Sequence, residues 1–257
     1  MRTNTRVIYL ETPSNPLLTL TDLKRVGDLA RSHGIHTLID NTFASPINQN
    51  PADFGIDVII HSATKYMGGH SDICAGAVAA GKEHIDRIFQ LAKNLGGSLS
   101  DYTVWLLERS LKTLGIRVRV QNENALQLAE FLNAHPDIGR VYYPGLETHP
   151  DHAVAKRQMH GYGGMLSCEW SPRLDQAVLM ASLHWIKGSM SLAGVESTLL
   201  SPAETSHALR TPEQRKQAGI AEGLIRFSTG IEDVEDLKAD LIQAFEKARI
   251  SKSAVHS

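Results

Sequence analysis

The sequence predicts an α/β protein with a mostly parallel sheet, followed by a smaller α+β domain. Three observations predict this: short apolar strands alternate with crossovers at the start, the pattern turns helical from about residue 102, and strands return after Pro136. Strands that alternate with crossovers are typical of a parallel sheet covered by helices on both faces. We expect the first domain to occupy residues 1–124 and the second to occupy residues 125–257.

Three strands of the first domain are predicted from β-branched and apolar runs, at residues 6–10, 35–39 and 57–61. The first run is ended by the proline-rich turn 11–16. The following apolar residues recur at helical spacing, which predicts a helix that Thr21 caps and Gly34 ends. The segment between the second and third strands is long enough to return to a parallel neighbour.

Two apolar stripes predict helices in the middle of the chain: Val104, Leu107, Leu111 and Leu114 form one, and Ala125, Leu128, Ala129 and Leu132 form the other. Further strands are predicted at residues 139–143, 164–170 and 224–228. The final helix is expected to begin after Asp233, whose carboxylate can cap it.

Composition excludes several classes of protein. The 257 residues include 26 Lys and Arg against 28 Asp and Glu, a formal charge of −2, which argues against a nucleic-acid or anionic-membrane partner. No apolar run approaches the roughly 18 residues that a membrane span needs, and the first residues lack the apolar core of a signal peptide. The two cysteines, Cys74 and Cys168, are too few for a disulfide framework, so a cytoplasmic location is expected.

Polar residues follow the predicted strands of the first domain. Ligands of parallel α/β sheets bind at the carboxyl ends of the strands, which directs attention to residues 11–16, 40–46 and 61–70. His149 and His152 could suggest a metal site elsewhere, but Pro150 and the loop context favour solvated turn residues. No metal ligand set is therefore predicted.

Lys65 is the most informative of these residues. It follows an apolar strand, Ser62 and Thr64 offer hydroxyls to an anion, and Gly68 and Gly69 permit close backbone approach. A partly desolvated lysine can form a Schiff base with an aldehyde. A solvated lysine beside a glycine turn is the alternative.

Asp40 ends the neighbouring strand and adds the second half of a possible pyridoxal phosphate site. That cofactor requires a lysine for its aldehyde and a carboxylate that keeps its ring nitrogen protonated. Asp40 alone could equally cap a turn or bind magnesium. Spacing alone therefore leaves open both the pyridoxal site and the alternatives of a solvated lysine, a turn cap or a magnesium ligand.

Four segments strongly resemble the pyridoxal-phosphate enzymes of Cys/Met metabolism, the transsulfuration family: Glu-Thr-Pro-Ser-Asn-Pro at 11–16, Ile-Asp-Asn-Thr-Phe-Ala-Ser-Pro at 39–46, His-Ser-Ala-Thr-Lys-Tyr-Met-Gly-Gly-His-Ser-Asp at 61–72 and Leu-Ile-Arg-Phe-Ser-Thr-Gly-Ile-Glu-Asp at 224–233. They cover nearly the whole chain in order. The resemblance implies the aspartate-aminotransferase-like fold, fold type I, with a pyridoxal 5'-phosphate (PLP) cofactor. It also implies a homodimer or a homotetramer built from dimers.

Carried over by position, the resemblance implies roles for five residues around the cofactor. Lys65 would form the Schiff base with the aldehyde and then shuttle protons. Asp40 would pair with the ring nitrogen, and Asn15 would hydrogen-bond the phenolic oxygen of the ring. Ser62 and Thr64 would bind the phosphate.

Three further positions concern the substrate. Arg226 would clamp the substrate carboxylate, which agrees with its place inside an apolar strand, where a guanidinium needs an anion; an internal ion pair with Glu or Asp is the alternative. Ser191 would lie near the same carboxylate. Met190 stands where cystathionine synthases and γ-lyases usually carry a glutamate, and an apolar side chain there offers nothing to the distal ammonium of cystathionine.

The family has a long N-terminal region upstream of what here is Arg6, and that region has no counterpart in this sequence. It supplies the tyrosine that stacks on the pyridoxal ring and residues that reach the phosphate of the neighbouring subunit. The large domain is therefore expected to be incomplete at its N-terminus, either in a fragment or in a truncated gene product.

The resulting expectation is a carbon–sulfur lyase or γ-replacement enzyme acting on methionine, cystathionine or O-acylhomoserine-type substrates. A methionine γ-lyase-like activity is favoured on Met190. Cystathionine γ-lyase or γ-synthase activity is the alternative, and so is a catalytically impaired fragment.

Overall fold

The computed structural model describes residues 1–203, 205, 208 and 211–249. The last residues of the predicted second domain, 250–257, lie outside the described residues. The described chain forms two separate sheets, one of four strands and one of five.

The first sheet consists of β1 Val7–Glu11, β2 His36–Asp40, β3 Val58–Ser62 and β4 Gly76–Ala80, in that order. β1, β2 and β3 are parallel, as predicted, and each lies within one residue of its predicted bounds. The fourth strand is antiparallel to β3. Its glycine and alanines carry little β-propensity, and no strand is predicted there; pairing with β3 creates it.

Helix α1, Leu23–Ser32, connects β1 to β2 and corrects one predicted detail. Asp22, not Thr21, is its N-cap, and the Asp22 carboxylate accepts the Arg25 N–H at 3.0 Å. The Thr21 N–H instead donates to the Thr12 hydroxyl. The negative charge of a carboxylate is also stabilised by the positive end of the helix dipole. Asp22 is therefore a stronger cap than Thr21.

Five helical segments follow within and after the first sheet: α2 Ser45–Asn48, a 3-10 turn Pro51–Phe54, α3 Lys82–Leu95, α4 Asp101–Leu111 and α5 Leu114–Ala134. The predicted apolar stripe from Val104 to Leu114 is not a single buried helix face. One helix ends at Leu111 and the next begins at Leu114, and Val104 and Leu111 are exposed.

The predicted domain boundary at 124/125 lies inside α5, which continues through it without interruption. The four residues of the second predicted stripe are fully buried on this helix. α5 therefore belongs to the core of the second sheet at its C-terminal end, and the division of the chain into two domains stays a prediction.

The second sheet consists of β5 Ile138–Tyr142, β6 Met165–Trp170, β7 Lys187–Gly188, β8 Thr198–Leu200 and β9 Leu224–Ser228, with the order β5-β6-β9-β8-β7. The remaining helices are α6 His152–Gln158, α7 Gln176–Ser182, α8 Pro212–Gln217 and α9 Val234–Ala248. Asp233 caps α9 as predicted, by accepting the Glu235 N–H at 2.8 Å. Apolar side chains of α5, α7 and α9 cover one face of the sheet and form the largest core of the described chain.

The two sheets meet around Tyr66, immediately after Lys65. The Tyr66 ring packs against Val118 of α5 and Met165 of β6. Its hydroxyl accepts the Gly164 N–H at 3.0 Å. The turn that carries Lys65 is therefore anchored to the start of β6 in the second sheet.

Two findings bear on the excluded classes. Among the described residues, no helix combines the length and the apolar character that a membrane crossing requires. Within the same ranges, no group of three or more His, Cys, Asp or Glu side chains is placed to hold a metal ion. The expectation of solvated histidines is wrong for His149, which is buried and whose Nδ1 accepts the Asp151 N–H.

Candidate active site

Three consecutive hydrogen bonds connect Asp40 to Lys65 across the ends of β2 and β3. The Asp40 carboxylate accepts the Thr42 N–H at 2.9 Å, and the Thr42 hydroxyl accepts the Ser62 N–H at 2.8 Å. The Ser62 carbonyl then accepts the Lys65 N–H at 3.0 Å. These contacts fix the carboxylate and the lysine on one edge of the sheet, where the strand-end rule places ligands.

Lys65 is half-buried in the turn between β3 and β4. Burial lowers the pKa of its amine below the ordinary value, the nearby Arg226 guanidinium lowers it further, and Cys74 opposes the change. In the described part of the chain, no carboxylate forms an ion pair with Lys65. The amine is therefore more readily neutral than an ordinary lysine, which is the form that attacks an aldehyde.

The two hydroxyls beside Lys65 differ in their engagement. Thr64 Oγ1 accepts the Ala75 N–H at 2.9 Å and donates to the Ala75 carbonyl at 3.2 Å. Ser62 is held through its backbone N–H, and within the described chain its hydroxyl has no hydrogen-bond partner. An anion at this turn would therefore meet the Ser62 hydroxyl directly, whereas Thr64 would have to release Ala75 to donate.

Arg226 lies on β9 and is only 4% exposed. Its Nη1 donates to Asn15 Oδ1 at 3.3 Å and its Nη2 donates to the Met190 carbonyl at 3.1 Å. Its Nε is buried without a hydrogen-bond partner, and burial lowers the pKa of the guanidinium to about 10. The alternative of an internal ion pair is not realised among the described residues, so this buried cation has no anionic partner there, which is costly for a charged group.

Asn15 lies in the proline-rich turn between β1 and α1. Its backbone N–H donates to Glu11 Oε1 at 3.1 Å, and the next carbonyl, of Pro16, accepts the Ser167 hydroxyl at 2.7 Å. With its Oδ1 turned to Arg226, the amide N–H₂ of Asn15 is free to donate elsewhere. The turn thus connects the end of β1 to the neighbouring strands β6 and β9 of the second sheet.

The segment with Met190 and Ser191 passes over the same arginine. Met190 contributes its backbone carbonyl to Arg226, while its side chain is 66% exposed. The Ser191 N–H donates to Ser189 Oγ, and its carbonyl accepts the Thr198 hydroxyl. The segment is therefore held by its backbone, and the Met190 side chain can meet a ligand without disturbing the core.

The structure thus brings Arg226, Asn15 and Met190 into direct contact and places Lys65 within electrostatic reach of Arg226. Asp40 lies on the neighbouring strand end. One residue that was not predicted joins the site: Glu11, at the end of β1, pairs in register with Asp40. The strand-end rule marks residues 11–16, but only the register between β1 and β2 shows that these two carboxylates are neighbours.

Comparisons with known proteins show which family the chain resembles. Residues 1–246 match the sequence profile of the family described as Cys/Met metabolism PLP-dependent enzyme. Cystathionine beta-lyase of Lactococcus lactis subsp. cremoris (strain MG1363) is 44% identical over 95% of this chain and 64% of its own length. L-methionine gamma-lyase of Fusobacterium nucleatum subsp. polymorphum is 43% identical over 96% of this chain and 64% of its own length.

A solved structure extends the likeness to three dimensions. Cystathionine gamma-lyase from Lactobacillus plantarum, complexed with L-serine, superposes with a TM-score of 0.93 and 39% identity, covering 96% of this chain and 65% of that one. The chain thus spans a little under two thirds of the length of the relatives that it matches. The predicted α/β fold of the aspartate-aminotransferase-like type is confirmed, and the chain belongs to the family of Cys/Met metabolism PLP-dependent enzymes.

Proposed function

We propose that this chain holds PLP on Lys65 and acts on small sulfur amino acids as a carbon–sulfur lyase or γ-replacement enzyme. One observation carries the proposal: the buried Arg226 keeps an unpartnered Nε and faces Asn15 close to a half-buried, unpaired Lys65. A cation that can bind a carboxylate beside an amine that can bind an aldehyde is the pair that an amino-acid enzyme of this family needs.

The residues present fit the cofactor. Among the described residues, no cation is paired with Asp40, which leaves its carboxylate free for a protonated ring nitrogen. The free hydroxyl of Ser62 suits a phosphate oxygen, and Thr64 can join it by releasing Ala75. The free N–H₂ group of Asn15 suits the phenolic oxygen. These four residues and Lys65 are therefore the proposed cofactor contacts.

When bound, PLP supplies an aldehyde that combines with amines and a ring that accepts the electrons of a carbanion. The side chains of this protein do the rest. Arg226 binds the α-carboxylate of the substrate and so orients Cα toward Lys65, and Ser191 lies at the same end. Lys65 Nζ, whose lowered pKa favours the neutral form, takes the proton from Cα and can return it to another carbon.

The substrate is proposed from the Met190 side chain. Its exposed thioether offers no charge to a distal ammonium, so a short thioether such as methionine or an acylated homoserine is preferred over cystathionine. A methionine γ-lyase is among the relatives of this chain, at 43% identity. Cystathionine is the second candidate, because relatives of equal similarity are cystathionine lyases.

A homodimer or homotetramer in the cytoplasm is part of the same proposal. Large apolar side chains of α3 and α4 are exposed, including Phe89, Leu95 and Trp105, and a second copy of the chain would cover them. Both thiols are free, Cys74 at the surface and Cys168 in the core. Unpaired cysteines are typical of a reducing compartment.

Borohydride trapping tests the proposal. The chain is incubated with PLP, reduced with borohydride and digested, and peptide mass spectrometry locates the pyridoxyl group. We expect the adduct on Lys65 in the wild type and in the control Lys82→Ala, which removes an exposed lysine, and no specific adduct in Lys65→Ala. An adduct on another lysine, or none in the wild type, would overturn the proposal.

A further inference from the structure

Two carboxylates lie side by side at the edge of the first sheet. Glu11 and Asp40 end neighbouring parallel strands and are paired in register, so their side chains point to the same face of the sheet. Asp40 is held by the Thr42 N–H and Glu11 by the Asn15 N–H. Each carboxylate therefore accepts from the backbone of the loop that follows its own strand.

The surroundings of Glu11 disfavour the negative charge on its carboxylate. Burial raises the pKa of its carboxyl group, and Asp40 raises it further, while the hydrogen bond from the Asn15 N–H lowers it. Ionising a carboxyl group beside a second carboxylate costs free energy, because the two negative charges repel each other. Among the hydrogen bonds of the described residues, only the one from the Asn15 N–H to the Glu11 carboxylate offsets this cost.

The hydrogen bond from Asn15 to Glu11 leads directly to Arg226. The Asn15 backbone is bound by Glu11, and its side chain accepts from the Arg226 guanidinium. The next carbonyl is bound from the other side by the Ser167 hydroxyl on β6. Glu11 and Ser167 thus hold the two sides of a turn whose central side chain touches the cation proposed for the substrate.

We propose that Glu11 is a positioning residue for Arg226: by holding the Asn15 backbone, it keeps Asn15 Oδ1 against the guanidinium and so raises the affinity for the substrate carboxylate. The inference rests on the proposed function, because it assigns Arg226 to that carboxylate. Glu11 acts through Asn15 and needs no contact with the substrate.

Two variants of similar size separate acceptor from charge. Glu11→Gln keeps a carbonyl oxygen that can accept the Asn15 N–H but loses the charge, whereas Glu11→Met loses the acceptor as well. The probe is glycine, an amino acid with a carboxylate and no leaving group, added to the PLP-loaded chain and followed by the absorbance of the cofactor. We expect the Kd for glycine to rise about five- to tenfold in Glu11→Met and to stay within about twofold of the wild type in Glu11→Gln.

Hydrogen exchange of the chain without cofactor provides a second readout. The turn contains two prolines without N–H groups, Pro13 and Pro16, so a peptide over residues 11–18 reports few amides. We expect the Asn15 amide to exchange faster in Glu11→Met than in the wild type or Glu11→Gln. Because Glu11 ends β1, at one side of the four-stranded sheet, and is part of no apolar core cluster of the described chain, all variants should retain the wild-type circular dichroism. If Glu11→Met unfolds, Glu11→Thr, whose side chain is too short to reach Asn15, takes its place.

The outcomes distinguish the two proposals. If the wild type loads PLP on Lys65 but Glu11→Met binds glycine as the wild type does, the role of Glu11 is wrong. The same holds if Glu11→Gln is weakened as much as Glu11→Met, since charge and not the hydrogen bond would then matter. If the wild type fails to load PLP, the proposed function is wrong and the inference about Glu11 falls with it.

Discussion

At the residue scale, Arg226 presents the clearest imbalance between burial and partners. Its guanidinium is nearly inaccessible, its two partners are neutral oxygens, and its Nε has none. A buried cation that lacks an anion costs several kcal/mol, and a bound carboxylate would offset that cost through charge-assisted hydrogen bonds.

We therefore predict that Arg226→Leu raises the Kd for glycine about tenfold to hundredfold in the PLP-loaded chain. Arg226→Lys should recover only part of the loss, because an ammonium cannot replace a planar guanidinium that contacts Asn15 and Met190 together. The measurement is again the cofactor absorbance during titration with glycine. The matched control is Arg173→Leu, which removes an exposed arginine; an equal loss in the control, or none in Arg226→Leu, would contradict the prediction.

Lys65 gives a prediction about pH. Burial lowers the pKa of its amine in the folded chain, so the unfolded chain binds more protons between that lowered value and the ordinary 10.5. The stability of the cofactor-free chain should consequently gain a rising contribution from Lys65 as pH increases through this window. Arg226 contributes in the same direction, because its pKa is also lowered.

Comparison with Lys65→Met isolates the contribution of Lys65. The variant should be more stable than the wild type below the lowered pKa, where the wild type must bury part of an ammonium, and the difference should shrink as pH rises toward 10.5. Urea unfolding at a series of pH values measures the difference. A difference that is independent of pH would show that the amine is not destabilised by its surroundings.

At the scale of elements, one carboxylate of α9 organises the loop before β7. The buried Asp240 accepts three consecutive backbone N–H groups, from His184 at 2.9 Å, Trp185 at 2.8 Å and Ile186 at 3.0 Å. Burial alone would raise the pKa of Asp240, but these donors outweigh it and lower the pKa. The stability they confer is present above the ordinary value of 3.8 and is lost as pH falls through the lowered one.

We predict that Asp240→Asn lowers the free energy of unfolding by about 1–3 kcal/mol, because an amide cannot accept all three donors with its single oxygen. The difference in unfolding free energy between Asp240→Asn and the wild type should vanish at low pH, where Asp240 is protonated in the wild type. Urea unfolding at neutral and acidic pH measures both quantities. Asp236→Asn, at an exposed position of the same helix, should change stability little, and an equal loss there would contradict the role of the three donors.

Elements built from strongly patterned residues could be predicted from the sequence. Runs of β-branched residues gave β1 to β3 within one residue, and the strand-end rule then marked Asp40 and Lys65. β4 was not predicted, because alanine and glycine acquire a strand conformation there only through their partner β3. Glu11 was missed for a related reason: register between two strands is a property of the pair and is not visible in either segment alone.

The roles of the site residues depend on more than pattern. Spacing could place Lys65 and Asp40 on one edge, whereas Arg226 is separated from Asn15 by 211 positions in sequence. Before the structure, only the resemblance to the family assigned Arg226 and Asn15 to the same site. The contact through the Met190 carbonyl, with the side chain left exposed, depends on the backbone path and has no sequence signal.

At the scale of the whole molecule, buried amides join the first half of the chain to the second. Gln158 of α6 accepts the Leu23 N–H and donates to Gln49, which in turn donates to Asn41 just after β2. Such a network is costly if any member loses its partner. Together with the Asn15 turn, it makes the edge that carries Asp40 depend on both halves being packed.

In contrast to these buried polar groups, helices α3 and α4 in the first half of the chain expose large apolar side chains. Leu95 at the end of α3 is 81% exposed and Trp105 on α4 is 54% exposed, and Phe89 and Tyr102 are exposed on the same two helices. Apolar groups in such numbers on neighbouring helices are typical of a surface that another protein surface covers. Burial of this apolar area against a second copy would be favourable by about 25 cal/mol per Å².

We predict that the wild type associates in a concentration-dependent manner and that Leu95→Glu combined with Trp105→Glu weakens this association at least tenfold, because charges resist burial in an apolar contact. Sedimentation velocity over a range of concentrations measures it. The control Lys82→Glu with Lys93→Glu changes charge at exposed polar positions of α3, and we expect it to leave association within about twofold of the wild type. A wild type that stays monomeric, or a control that weakens association equally, would show that these apolar side chains do not hold the copies together.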